Sequence, residues 1–232
     1  MRLRLAEPVF FTCQGEGMFA GVPSLFVRTS GCPLRCEWCD TKYSSWAPEG
    51  EQEDVDELTT YCGKHPASHI VITGGEPCMF AGQVGHMLFQ LQSRYGKVVT
   101  VETSGALGEV GLSPDLWSVS PKLASAAPVA GPERDLHLRN NDLSHMAAFQ
   151  RRTLHSRVQF KFVMSSEADV AEVEKLVGEH KLLPQFVWAM PEGRTKDEVL
   201  TRGAWLAEVC KERGWNLCLR QQILIWGNRR GT

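Results

Sequence analysis

Three cysteines on one short segment are the residues of this chain best suited to redox chemistry. Cys32, Cys36 and Cys39 follow the spacing Cys-x3-Cys-x2-Cys within residues 31–41. Iron–sulfur clusters of the four-iron type are normally held by four cysteines. Three thiolates from one loop, with no fourth cysteine beside them, would leave one iron open to a small molecule. The spacing therefore predicts a cluster whose free iron binds a reagent.

A structural zinc site is the alternative for clustered cysteines. Such sites usually combine two pairs of Cys or His ligands. No second pair follows the loop, and free cysteine commonly packs as a small apolar side chain. The remaining cysteines are scattered singly, at Cys13, Cys62, Cys78, Cys210 and Cys218. The pattern favours the cluster.

A glycine turn follows the short β-branched segment His69–Thr73. Its residues, Gly74-Gly-Glu-Pro77, would place two backbone N–H groups and one carboxylate at the mouth of a sheet without side-chain bulk. Such a site suits a cationic amine. An ordinary strand-to-helix turn is the alternative for this segment taken alone.

The cysteine loop and the glycine turn together resemble the radical S-adenosylmethionine (SAM) superfamily. The resemblance implies a [4Fe–4S] cluster on the three cysteines, with the amino and carboxylate groups of SAM chelating the free iron. An electron from the cluster then cleaves the sulfonium of SAM. The resemblance also implies that Gly75 and Glu76 bind the methionine amino group.

Short apolar segments that end in polar motifs must position these residues. Helices alternate with them, which predicts a mainly parallel sheet with ligand sites beyond the carboxyl ends of its strands. A closed eight-fold barrel usually needs about 250 residues. The predicted fold is therefore α/β, a partial, open TIM-like barrel of about six to seven parallel strands in a single domain, residues 1–232. The predicted strands are Pro23–Arg28, His69–Thr73, Val98–Glu102, Leu116–Val119, Arg157–Met164, Phe186–Met190 and Asn216–Leu219, the last extending toward Ile225.

Two connections carry less regular patterns. Residues 42–53 are polar and contain Pro48 and Gly50, which predicts a loop. Residues 140–154 predict a helix of low periodicity. Thr195 to Glu198 matches a capping box that opens a last helix.

Composition narrows the function classes. The chain is 43% hydrophobic with a formal net charge of −2, so no basic surface for long nucleic acids is predicted. No apolar run approaches about 18 residues, which argues against a membrane span. Glu7 and Pro8 interrupt the first segment too early for a signal peptide. The sequence predicts a cytoplasmic protein with reduced thiols and a small-molecule ligand.

Further segments resemble one family within the superfamily, the 7-carboxy-7-deazaguanine synthases. The resemblance covers most of the chain and follows the family's motif order. It implies a lyase that converts 6-carboxy-5,6,7,8-tetrahydropterin to 7-carboxy-7-deazaguanine with loss of ammonia, in queuosine-type biosynthesis. The matching segments are Gln14–Gly17, Phe26–Cys32, Trp38–Thr41, Thr73–Cys78, Glu102–Gly105 and Ser120–Lys122.

The family resemblance implies substrate contacts on two segments. Cys13, Gln14 and Gly15 would contact the amide and amino edge of the pterin, and Thr73 would contact the substrate beside the glycines. Arg28 would bind the substrate carboxylate through its planar fork of donors. The residues alone favour the alternative, an ordinary surface arginine at a strand end.

The same resemblance implies a magnesium site and a SAM site. Thr41 would be the Mg²⁺ ligand, with Asp40 as the rival, because Mg²⁺ prefers oxygen ligands and keeps several waters. A solvated strand face is the alternative for Gln159 and Lys161. Besides Gly75 and Glu76, the SAM-binding residues implied are Trp38, Cys39, Asp40, Ser120, Pro121, Lys122, Gln159 and Lys161.

One position departs from the family pattern. In a branch of the family with a similar tail, a histidine tends to stand where this chain has Gln222, and glutamine cannot titrate near neutral pH. The family further implies a reducing electron donor such as flavodoxin or ferredoxin, and a homodimer. Two other functions use a cysteine loop of this kind: an activase that makes a glycyl radical on a partner protein, and a non-enzymatic electron carrier.

Overall fold

The structure, a computed structural model, describes residues 1–151 and 157–232. Its strands are β1 (Arg2–Leu5), β2 (Phe10–Cys13), β3 (Pro23–Thr29), β4 (Glu51–Asp54), β5 (His69–Gly74), β6 (Val98–Thr103), β7 (Leu116–Val119), β8 (Arg157–Met164), β9 (Val187–Pro191) and β10 (Asn216–Leu217). Its α-helices are α1 (Lys42–Ser45), α2 (Val55–Lys64), α3 (Ala81–Ser93), α4 (Pro132–Asn140), α5 (Met146–Arg151), α6 (Glu167–His180), α7 (Lys196–Arg213) and α8 (Gln221–Trp226).

All ten described strands join one sheet in the order β10-β9-β8-β7-β6-β5-β3-β1-β4, with β2 paired to β3. Within the described residues, every neighbouring pair from β3 to β10 in this order is parallel, which gives seven parallel strands. The order does not close on itself. The predicted partial, open barrel of six to seven parallel strands is confirmed.

The amino-terminal edge of the sheet is antiparallel and was not predicted. β1 pairs with both β3 and β4, and Leu5 lies opposite Thr29 on one side and Glu51 on the other. The prediction of a loop over residues 42–53 is wrong, because the segment contains α1 and β4. The β4 sequence, Glu51-Gln-Glu-Asp54, has no apolar alternation, so its backbone pairing with β1 makes it a strand.

The remaining differences lie after β7 and at the tail. α4 follows the irregular connection and was not predicted, and the helix predicted over 140–154 is limited to α5 among the described residues, with 152–156 outside them. The last strand ends at Leu217, and the segment toward Ile225 is helix α8. The Gln221 N–H at the start of α8 donates to the Gly15 carbonyl, so contact with the entry segment favours the helix.

Apolar side chains on one face of the parallel strands form the main core, and the opposite face carries residues that line a cavity. Leu25 and Ile70 are buried in adjacent strands, and Met87 of α3 belongs to the same cluster. The predicted capping box of α7 is present, since Thr195 Oγ1 accepts from the Glu198 N–H at 3.3 Å. Among the described helices, none has the length and apolar character needed to cross a bilayer. This packing holds the parallel strands in place and so positions the loops that follow their carboxyl ends.

Candidate active site

A cavity at the carboxyl ends of the parallel strands brings together most of the residues that the sequence singled out. It is lined by the predicted residues Cys13, Gln14, Gly15, Arg28, Cys32, Cys36, Trp38, Cys39, Asp40, Thr41, Thr73, Gly75, Ser120, Lys122 and Lys161. The location agrees with the rule that ligands of open α/β sheets bind beyond the carboxyl ends of strands.

The three loop cysteines form what we call the thiol wall of this cavity. Leu34 and Ala126 pack against them from behind. Burial raises the pKa of the Cys32 thiol to about 12 and that of Cys36 to about 11, with Lys122 as the nearby cation that opposes the shift. The protein alone therefore favours neutral thiols here, and bound iron would supply the positive charge that thiolates need.

The thiol wall suits a cluster that makes its bonds through three sulfurs. Cys13 also lines the cavity, but it pairs with Pro23 at the first residue of β3, whereas the cysteine loop follows the last. Cys13 is thus placed away from the loop. Over residues 1–151 and 157–232, no three His, Cys, Asp or Glu side chains are grouped to hold a single metal ion. The donor set, three thiols facing one cavity, fits a cluster with an open iron.

The glycine turn after β5 supports the cysteine loop from below. A Cβ on Gly75 would lie 2.1 Å from the Gly31 carbonyl oxygen and 2.4 Å from that of Ser44, so only glycine fits. The N–H groups of Gly75 and Glu76 donate to the carbonyls of Thr29 and Gly31, at 3.0 and 2.8 Å. Both N–H groups are thus bonded within the chain, one to the last residue of β3 and one to the first residue of the cysteine loop.

Glu76 lies behind the cavity wall and is fully buried. Its carboxylate accepts hydrogen bonds from Thr103 Oγ1 at 2.6 Å and from the Ser104 N–H at 2.8 Å. It also accepts from the Cys78 N–H at 3.1 Å. Glu76 therefore ties the ends of β5 and β6 together beneath Gly75.

Three ionisable side chains form the charged wall on another side of the cavity. Lys161 Nζ lies 2.9 Å from Glu16 Oε2 and 3.2 Å from Glu102 Oε1. Burial alone would raise the pKa of Glu16, but the charges of Lys161 and Arg220 outweigh it and hold that pKa well below its usual range. Burial likewise lowers the pKa of Lys161, and the two carboxylates overcome this and raise it. Lys161 is therefore held between the two carboxylates, and this pairing keeps Glu16 ionised at neutral pH.

Two predicted substrate residues are bonded to the charged wall. Gln14 Nε2 donates to Glu102 Oε1 at 3.2 Å, and Thr73 Oγ1 donates to Glu102 Oε2 at 3.0 Å. The side-chain oxygen of Gln14, Oε1, accepts a hydrogen bond from the backbone N–H of Glu16 at 3.1 Å. Both ends of the Gln14 amide thus orient the charged wall.

Arg28 projects into the cavity from the end of β3. Its Nε donates to Glu7 Oε1 at 2.5 Å, and Glu7 also accepts from Tyr43 Oη and from Arg230 Nε, at 3.0 and 3.1 Å. No hydrogen bond within the described residues uses the two terminal nitrogens of Arg28. Glu7 therefore anchors one edge of the guanidinium and leaves the other edge toward the cavity.

Asp40 and Thr41 follow the last loop cysteine and differ in their partners. The Asp40 carboxylate forms an ion pair with Arg220, whose guanidinium also lies 3.4 Å from Glu16 Oε1 and donates to the Gly193 carbonyl at 2.6 Å. The Thr41 hydroxyl makes no capping bond to α1 and lies 3.7 Å from Cys39 Sγ. Of these two side chains, Asp40 has a charged partner and the Thr41 hydroxyl has none among the described residues.

Pro121 and Gln159 do not line the cavity. Gln159 is buried, and it accepts from the Met18 N–H at 2.7 Å and donates to Ser118 Oγ at 2.9 Å. The alternative of a solvated strand face is wrong, because the exposed fractions of Gln159 and Lys161 are 2% and 3%. Gln159 instead holds the entry segment against β7 and β8.

Glu16, Glu102, Arg220 and Gln222 are among the cavity residues that were not assigned from the sequence. Glu16 and Glu102 lie within matched family segments, which was the available signal. The sequence around Arg220 and Gln222 was not specific enough to assign either residue a role. Gln222 Nε2 donates to Glu16 Oε1 at 2.7 Å, and its buried oxygen has no hydrogen-bond partner among the described residues.

Comparisons with known proteins match these observations. The sequence model of the Radical SAM superfamily matches residues 26–119. The chain is 36% identical over 230 residues to the 7-carboxy-7-deazaguanine synthase of Rhodopirellula baltica, covering 98% of this chain and 88% of that protein. It is 34% identical over 235 residues to the 7-carboxy-7-deazaguanine synthase of Halobacterium salinarum, covering 95% and 89%. The crystal structure of QueE from Escherichia coli shares the fold, with a TM-score of 0.67, 24% identity and 95% of each chain covered.

Proposed function

The chain belongs to the 7-carboxy-7-deazaguanine synthase family of radical SAM enzymes, and from this premise we propose how its cavity performs the family's reaction. The reaction converts 6-carboxy-5,6,7,8-tetrahydropterin to 7-carboxy-7-deazaguanine with loss of ammonia. The observation that carries the proposal is one cavity that combines three thiols, an arginine bonded within the chain only at Nε, and two carboxylates paired with a buried lysine. The three thiols suit an iron–sulfur cluster. The arginine suits the carboxylate of the substrate, and the two carboxylates suit a ring that donates hydrogen bonds.

Cys32, Cys36 and Cys39 hold the [4Fe–4S] cluster in this proposal. When bound, the cluster and SAM supply the radical hydrogen abstraction that starts the ring contraction. Trp38 and Lys122 lie against each other, with Lys122 Nζ 5.4 Å from the ring centre and 2.9 Å from Ser120 Oγ. We assign these three residues to SAM, together with Gly75 and the backbone around Asp40. Glu76 contributes by holding the Gly75 turn.

Arg28 is the carboxylate clamp of the substrate site. An arginine binds a carboxylate best through two parallel N–H donors. Glu7 fixes the Arg28 side chain at Nε, so its two terminal nitrogens remain for the substrate. This anchoring supports the clamp over an ordinary arginine at a strand end.

The charged wall receives the opposite edge of the pterin. That edge carries an amino group and a ring N–H, which are donors, and Glu16 and Glu102 present acceptors. Gln14 and Thr73 orient Glu102, and the backbone of Cys13 and Gly15 completes the edge. The substrate is thereby held at two ends, which places its reacting carbon before SAM.

Thr41 is the proposed Mg²⁺ ligand. Its hydroxyl faces the cavity, whereas the rival Asp40 is engaged by Arg220. One protein hydroxyl, substrate oxygens and water suit the octahedral preference of Mg²⁺. The ion would hold the substrate carboxylate together with Arg28.

Three further expectations complete the proposal. A flavodoxin or ferredoxin would supply the electron, and the enzyme would act as a homodimer, as the family resemblance implies. All eight cysteines are free thiols, which suits a reducing compartment such as the cytoplasm. Neither the activase nor the electron-carrier alternative is favoured by an observation of this cavity.

Anaerobic turnover tests the proposal. Reconstituted enzyme is incubated with SAM, dithionite, Mg²⁺ and the carboxytetrahydropterin, and product is followed by liquid chromatography and mass spectrometry. We expect 7-carboxy-7-deazaguanine and ammonia in equal amounts. Cleavage of SAM without the deazapurine would overturn the proposal, and Cys36→Ala controls for non-enzymatic products.

A further inference from the structure

Lys161 is the most deeply buried cation of the cavity, with an exposed fraction of 3%. It projects from the middle of β8 and contacts two carboxylates that come from distant segments, Glu16 after β2 and Glu102 in β6. A lysine is expensive to bury without such partners. Its position therefore needs an explanation beyond packing.

The neighbours of Lys161 show that it acts alone in joining the two carboxylates. Arg220 reaches Glu16 but is shared with Asp40 and does not reach Glu102. Gln14 and Gln222 are neutral, and each bonds one of the two carboxylates. Within the described residues, Lys161 is thus the one charged group that bridges the pair.

We propose that Lys161 is a positioning residue for the substrate ring: it holds Glu16 and Glu102 in register as hydrogen-bond acceptors, and so sets the preference for a heterocycle whose facing edge donates hydrogen bonds. This inference rests on the proposed function. It places Lys161 on the substrate side rather than against SAM. No contact between Lys161 and the ring itself is required.

Removing the cation would change the chemistry of the pair. Without Lys161, Glu16 keeps Arg220 as a counterion but no charged group joins Glu102 to it, and two carboxylates that share a site favour a proton on one of them. A protonated carboxyl group donates where it accepted before, so the wall would no longer distinguish a donor edge from an acceptor edge. The loss would fall on ring recognition and leave SAM binding intact.

The test compares two ligands on two proteins. One ligand is the carboxytetrahydropterin and the other is the same ring without its 2-amino group. Dissociation constants are measured by anaerobic calorimetry on cluster-loaded enzyme without reductant, so that no turnover occurs. We expect the wild type to prefer the amino form by about 100-fold or more, and Lys161→Met to prefer it by less than about 10-fold.

Controls separate positioning from general damage. Lys161→Arg keeps the charge and should restore most of the preference. Lys97→Met removes a half-buried lysine that bonds the His65 and Ala67 carbonyls near the other end of the sheet, and it should leave the preference unchanged. The affinity for SAM should change less than about 3-fold in Lys161→Met.

Two outcomes would overturn the inference. One is an unchanged preference in Lys161→Met with both ligands weakened equally, which marks a structural role. The other is an unchanged preference with weakened SAM binding, which places Lys161 on the SAM side. If Lys161→Met does not fold, Lys161→Gln carries the same comparison. A wild type that converts no pterin would instead refute the proposed function.

Discussion

The two walls of the cavity are built on opposite principles. On the thiol wall, burial raises the pKa values of Cys32 and Cys36, with Lys122 as the nearby cation. On the charged wall, Lys161 is already paired with Glu16 and Glu102 within the chain. The thiol wall is completed by a bound cofactor, whereas the charged wall is organised in advance by the fold. This difference shows that one side of a site can require a bound cofactor while the fold has already positioned the side chains on the other side.

The largest effect is expected on the thiol wall. Cys36→Ala should lower bound iron from about four atoms per chain to nearly none and abolish product formation. Because the thiol is neutral in the metal-free protein, its loss should shift the melting temperature of that protein by only about 4 °C or less. Iron analysis and calorimetry on the metal-free form measure both. Cys210→Ala, a buried cysteine of α7, is the control.

A metal-free Cys36→Ala protein that unfolds far below the wild type would contradict the comparison. It would mean that the thiol wall, too, is stabilised by contacts within the chain.

The next effect is expected at Arg28, between the walls. Arg28→Met should raise the KM for the carboxytetrahydropterin by about 100-fold, since a charge-assisted bidentate pair is lost. The SAM affinity should remain within a factor of about three. Steady-state kinetics and SAM binding measure the two. Arg213→Met, which removes an ion pair with Glu174 on the helix surface, is the matched control.

Equal weakening of pterin and SAM binding in Arg28→Met would show that Arg28 supports the whole cavity rather than the substrate carboxylate.

A smaller effect is expected at Thr41. Thr41→Val keeps the shape and removes the hydroxyl, so the concentration of Mg²⁺ for half-maximal activity should rise by about 10-fold. Titration of Mg²⁺ against activity measures this. Thr41→Ser should behave like the wild type. Unchanged magnesium dependence in Thr41→Val would assign the metal elsewhere.

The smallest effect concerns stability against pH. The pKa of Glu16 is lowered in the folded protein, so its ion pairs stabilise the fold above the ordinary value of 4.5 and lose that contribution as pH falls. Glu16→Gln should lower the free energy of unfolding at pH 7, and the gap should narrow from pH 5 to pH 3. Urea unfolding at each pH measures the two curves.

Parallel curves for the wild type and Glu16→Gln would break the comparison, because they would show that the charged wall contributes no net stabilisation from its ion pairs.

The sequence by itself determined the local features. The Cys-x3-Cys-x2-Cys spacing places three thiols on one loop, and the glycine turn is required where a Cβ would meet the backbone of Gly31. The β-branched runs specify the parallel strands, and Thr195 with Glu198 specifies the start of α7. These features depend on residues close together in the chain, so spacing and residue type suffice to predict them.

Tertiary structure alone decided the charged wall. Gln14 and Glu102 are 88 residues apart, Lys161 and Glu16 are 145 apart, and Arg220 and Asp40 are 180 apart. Their pairing depends on the order of the strands, which brings the carboxyl ends of β6 and β8 to one edge beside the segment that follows β2. The same contacts make helix α8 from a segment predicted as strand. The spacing of residues along the chain does not give their distances across a sheet, so only the assembled fold could bring these groups together.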